Sequence, residues 1–150
     1  MKFTVKKINA FLLFKLPIAF IAGVRLRSIS DDKAIVQVKY RWVNQNPFKS
    51  MFWAVQGMAS ELTTGILVMQ SIYASELKIS MLVTNMSATF HKKAKGKILF
   101  ECCDGAKINL AIKKAIDTKE GQVIVLNSKG INEQGVVVSE FKYEWSLKVK

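Results

Sequence analysis

Between Ser50 and Ile72 the sequence carries a single charge, Glu61. Large apolar residues fill most of that stretch, and Gln56, Ser60, Thr63 and Thr64 are among its few polar groups. A helix that is apolar nearly all round must be enclosed by the rest of its chain. The pattern therefore predicts a buried helix from Met51 to about Ile72, capped by Ser50. With 150 residues there is enough chain to wrap it once, and no repeat or linker divides the sequence. At 100° per residue, Ala54, Gly57, Met58, Gly65 and Val68 all fall within about 60° of Glu61. Small residues there let another backbone or a ligand approach closely.

The flanking segments read mainly as strands. Val24–Ile29 and Ala34–Val43 form a hairpin about Ser30–Lys33, with Val36, Val38, Tyr40 and Trp42 on one face. After the long helix come Ile79–His91 and Lys97–Cys103, with Lys92–Gly96 read as the turn between them. A second helix runs from Ala106 to about Asp117, with Asp104 as its cap. Gln122–Gly130 and Val136–Val149 make a final hairpin. In its last strand Phe141, Tyr143, Trp145 and Leu147 alternate with Lys142, Glu144, Ser146 and Lys148. The sum is an α+β chain: a sheet of about six strands with helices on one face.

At the N-terminus, Lys2, Lys6 and Lys7 precede an apolar run that Lys15 and Pro17 interrupt. The run is too short to span a bilayer, and no small-x-small cleavage site follows it at the usual distance. The reading is an amphipathic entry helix using Val5, Ile8, Phe11 and Leu12, so residues 1–22 form a helical extension of one domain. Lysines opposite phenylalanine and leucine also suit a membrane interface. Twenty-three Lys and Arg against 11 Asp and Glu give a net charge of +12, which favours an anionic partner. Only three of those cations are Arg, a weak inventory for base readout, so nucleic acid ranks low. Two adjacent Cys and one His cannot supply a disulfide framework or a four-ligand His/Cys zinc site. A reducing, cytoplasmic setting is expected, with no metal and no cofactor.

Asn46-Pro47-Phe48-x-Ser50, then Ala54, then Glu61-Leu62-x-x-Gly65 resemble the signature of an uncharacterised hotdog-fold family in the thioesterase superfamily. Met86-x-Ala88-x-Phe90 with Gly96 after it is similar to that family's third strand, and the resemblance extends from about Leu16 to Leu147. It implies an antiparallel sheet wrapped around the central helix, and homodimers that often pair again. It also implies acyl-coenzyme A or acyl-carrier thioesters as substrates. Fold alone does not fix activity.

The resemblance puts the chemistry on Glu61, whose place midway along the helix matches the catalytic carboxylate, as general base or nucleophile. The amides of Met51, Phe52 and Trp53 would polarise the carbonyl across the dimer, with Asn46 hydrogen-bonding substrate or water. Gly57, Met58 and Gly65 would line the acyl groove, and Lys92, Lys93 and Lys95 would attract coenzyme A phosphates. One departure matters. Many active relatives open the helix with His-Gly-Gly or similar small residues, where this sequence has Met51-Phe52-Trp53. A non-catalytic acyl-binding module is the alternative, and a charge-driven binder of nucleic acid or anionic membrane the third reading. Other candidates are read as structural. Glu61 itself has structural alternatives, an ion pair to Lys or Arg of a neighbouring strand or a cap at an exposed end of the interface. His91 is expected at a strand end near the surface. Cys102 and Cys103 should point to opposite sides, and the tryptophans and Phe48, Phe90 and Phe141 should lie mostly in the core.

Overall fold

The computed structural model describes residues 3–150. Helices α1 (Val5–Lys15) and α2 (Pro17–Ile21) lead into strands β1 (Arg25–Ile29) and β2 (Ala34–Lys39). A 3-10 turn, Trp42–Asn44, precedes the long helix α3 (Trp53–Ala74). Then follow β3 (Ile79–Phe90), β4 (Lys97–Cys102), α4 (Gly105–Thr118), β5 (Gln122–Ile131) and β6 (Val137–Val149). The six strands form one sheet in the order β1-β2-β4-β5-β6-β3, and every pairing is antiparallel.

The core lies between that sheet and α3. Leu62, Ile66, Leu67 and Val68 are buried against Val36, Val38, Phe100, Phe141 and Leu147 in one cluster. Each such side chain contributes about 1.5–3 kcal/mol on leaving water. The alternation expected in β6 holds, with Phe141, Tyr143, Trp145 and Leu147 all buried. Ile8 and Leu12 of α1 join the same cluster, with Val5 packed on its edge. Thr4 caps α1, its hydroxyl accepting from the Lys7 amide.

Five expectations need correction. Lys92–Gly96 is not a hairpin turn: β3 pairs with β6, and β4 pairs with β2 and β5. The segment crosses between sheet positions, held by Ala94, whose carbonyl accepts from the Met51 amide. Strand β2 stops at Lys39, so Trp42 leaves the buried face and is 83% exposed. Phe48, Trp53 and Phe90 are also about half or more exposed, leaving Trp145 and Phe141 in the core. Ser50 does not cap α3. The cap position is Phe52, with no side-chain bond, because Ser50 is tied to Asn46 instead. Asp104 does hold the cap position of α4, but its carboxylate accepts from the Asn127 amide rather than from the helix.

Candidate functional site

Helix α3 carries polar side chains on two sides, and their fates differ. Thr63 donates to the Ser128 hydroxyl at 2.8 Å. Ser60 and Tyr143 share a 2.6 Å hydrogen bond, and the Tyr143 hydroxyl also reaches the Gly57 carbonyl. Trp145 Nε1 donates to the Thr64 hydroxyl at 3.0 Å. Burial pushes the Tyr143 phenol up, so it stays protonated as a donor.

Glu61 sits among these groups without a partner of its own. Among the described residues no Lys, Arg or His pairs with it and nothing donates to its carboxylate. The expected alternative of an ion pair to a neighbouring strand is therefore not what the chain adopts. Burial pushes the Glu61 carboxyl up from the usual carboxylate range, towards that of a useful general base. Gly65 makes room for it one turn on. A Cβ at Gly65 would stand 3.2 Å from Glu61 Oε1 and 3.4 Å from the Trp145 ring. Gly57 faces open space on the other side of Glu61, and Met58 is half-buried.

A second group of residues meets at the start of α3. Asn46, Met51, Trp53, Lys92 and Lys93 line a cleft of about 380 Å³. Gln56 and His91 join them there. Asn46 Oδ1 accepts from the Phe48 and Ser50 amides, which shapes the loop before the helix. The amides of Met51 and Phe52 are not free, since they donate to the carbonyls of Ala94 and Asn44. The unused donors shift to Trp53 and Ala54, the first two residues of α3. Phe52 packs edge-on to Trp53, and both are exposed. Lys95 is exposed outside the cleft.

Gln56 was not marked as a site residue by its sequence context. It is 4% exposed, and its Oε1 has no hydrogen-bond partner among the described residues. The available signal was an amide in the first turn of an otherwise apolar helix. His91 is exposed at the end of β3, with Nε2 2.8 Å from Glu140 Oε2. Cys102 is buried and Cys103 exposed, as alternation requires, and burial pushes the Cys102 thiol up to about 12. Such a thiol is no nucleophile at neutral pH. Among the described residues no three His, Cys, Asp or Glu gather as metal ligands.

Solved structures share this architecture along the whole chain. A Pseudomonas aeruginosa protein of unknown function, described as a probable thioesterase, covers 100% of this chain and 99% of its own, with TM-score 0.82 and 23% identity. A Chlorobaculum tepidum protein of unknown function covers 97% and 94%, with TM-score 0.83 and 17% identity. A Staphylococcus aureus thioesterase, solved with a glutamine replaced by alanine, covers 88% and 98%, with TM-score 0.66 and 12% identity. Six antiparallel strands curved about one long helix define the hotdog fold of thioesterase-like proteins. The family described as a domain of unknown function (DUF4442) matches residues 5–147, and the chain belongs to it. No curated protein matches the chain in sequence.

Proposed function

We propose that this protein is a cytoplasmic acyl-thioester hydrolase acting on acyl-coenzyme A or an acyl carrier, with Glu61 as general base or nucleophile. The observation that carries this reading is Glu61 itself: a half-buried carboxylate with no partner among the described residues, inside a helix whose buried hydroxyls are bonded. An unpaired buried carboxyl costs stability, and such groups cluster where chemistry is done. The Staphylococcus aureus relative adds support. It was also solved with a glutamate replaced by alanine, fifteen positions after the replaced glutamine, the separation of Asn46 and Glu61.

One chain holds the two halves of this chemistry apart. Glu61 lies midway along α3, while the free amides of Trp53 and Ala54 lie at its start. In the proposed enzyme a second copy brings its helix start to this Glu61, giving two sites per homodimer. β3 supports that pairing. It is 12 residues long, ends the sheet with one edge unpaired, and exposes Leu82 and Phe90. Lys92 and Lys93 at the cleft would attract the phosphates of a nucleotide-tailed thioester. The site uses no metal and no cofactor.

Hydrolysis of a panel of acyl-coenzyme A substrates, repeated with Glu61→Gln, tests the reading. Turnover that falls at least about 100-fold supports it. Equal turnover in both proteins removes Glu61 from the mechanism. The exposed Phe52 and Trp53 beside the donors favour a second reading, a non-catalytic acyl-thioester binder. That reading predicts saturable binding without turnover, and a retained acyl ligand in native mass spectrometry.

A further inference from the structure

The net charge is unevenly spread. Residues 1–60 hold ten Lys and Arg but only two acids, Asp31 and Asp32, so eight of the twelve excess charges lie there. Both acids sit in the turn between β1 and β2. At the opposite end of that hairpin, several contacts build a corner. Asn44 Nδ2 donates to the carbonyls of Ala22 and Lys39, pinning the 3-10 turn against the end of α2. Gly23, at φ +96°, lets the Arg41 guanidinium lie across it. Arg25 stacks over the Phe20 ring at 3.4 Å and donates to the Phe20 carbonyl at 2.7 Å.

The corner is both greasy and cationic. Ile18 and Ile21, one turn apart on α2, are 71% and 63% exposed, and Trp42 beside Arg41 is 83% exposed. Lys39, Arg25 and Arg41 belong to the same corner, and among the described residues no acid forms an ion pair with any of the three. Exposed apolar side chains beside cations that no acid neutralises match a surface that is apolar below and negative above. Tryptophan is the side chain that best suits that boundary. No helix among the described residues is long and apolar enough to cross a membrane, so the contact would be peripheral.

We propose that this corner, formed by α2, the Gly23–Arg25 segment and the Arg41–Val43 turn, docks the protein on an anionic lipid membrane. The inference stands apart from the thioester reading, because it uses none of its residues. Vesicle flotation of the full chain tests it. The vesicles are phosphatidylcholine alone, or three parts phosphatidylcholine to one part phosphatidylglycerol, at about 0.05 M and about 0.5 M salt. The expected result is binding to the anionic vesicles at low salt, at least about tenfold weaker on neutral vesicles and in high salt. Ile18→Ser with Trp42→Ser should weaken it about tenfold, and so should Lys39→Gln with Arg41→Gln. The side chains replaced are on the surface, and circular dichroism verifies that each variant folds. Three results would overturn the proposal. One is no binding to anionic vesicles at low salt. Another is binding that the Ile18/Trp42 variant leaves unchanged. The third is a drop in oligomeric mass for that variant, which would assign the patch to a second copy of the chain. Tighter binding to a DNA duplex than to vesicles, lost in the Lys39/Arg41 variant, would assign the charge to nucleic acid and overturn it too.

Discussion

Thr63 and Glu61 stand two residues apart on the same helix, and they have opposite fates. The Thr63 hydroxyl is buried, donates to Ser128 and locks α3 onto β5. The Glu61 carboxylate is mostly enclosed and has no partner among the described residues. Two residues along a helix is a rotation of about 200°, so Thr63 meets Ser128 of β5 while Glu61 lies on the side of Gly65 and the Trp145 ring of β6. The bonded hydroxyls hold the helix to the sheet. The unpaired carboxylate is a cost the fold bears. A buried polar group is worth keeping unpaired only if something else uses it.

The largest expected effect separates the two by activity. Glu61→Gln should lower kcat/KM on the best thioester at least about 100-fold, whereas Thr63→Val should leave it within about threefold. Steady-state kinetics on both variants checks this. Stability should separate them the other way. Thr63→Val strands the Ser128 hydroxyl in the core, and Tyr143→Phe removes a hydroxyl that joins Ser60 to the Gly57 carbonyl. Each should cost about 1–2 kcal/mol in urea unfolding.

The pH dependence sharpens the contrast further. Burial raises the Glu61 carboxyl pKa, so the folded chain holds that proton more tightly than the unfolded chain does. The fold therefore loses stability as pH climbs through the unfolded value toward the folded one, and the loss is complete above it. Glu61→Gln removes that loss. The variant should be more stable than the parent at pH 8, and the gain should vanish below the unfolded carboxyl's value, about pH 4. Thermal unfolding across that range would detect it, and a constant difference would rule the account out. The smallest effect is expected at Gly65. Gly65→Ala puts a methyl 3.2 Å from Glu61 Oε1, against a Trp145 ring fixed by Thr64. The carboxylate must give way. Stability should change by less than about 1 kcal/mol, while turnover falls more than that change explains.

The part of this contrast that rests on periodicity was legible in the sequence. A near-uniform apolar helix with one charge has few possible surroundings, and β6 announces its buried face by strict alternation. The parts that depend on distant partners were not. Nothing local to Lys92–Gly96 says that β3 will seek β6 rather than β4. That choice is made by the sheet closing around α3. Ser50 stands where a cap belongs, but Asn46, four residues earlier, binds it first. Trp42 reads as core because the alternation of its strand continues through it, whereas the chain turns there and Asn44 ties the turn to the end of α2. Gln56 hides for a related reason. Its burial follows from the crossing segment that brings Ala94 and Lys93 against the start of α3.

That sheet order also governs how the protein is made. Synthesis runs from N- to C-terminus at about 5–20 residues per second. The apolar helix α3 is therefore complete before β4, β5 and β6 exist. β3 must wait longest for a neighbour, since its pairing partner is β6. Until that strand arrives, a growing chain presents a greasy helix and an unpaired edge to everything around it. Contacts this distant along the chain form slowly. In the cell, the demanding moment for this protein comes on the ribosome, where a holdase chaperone that covers α3 would raise its yield.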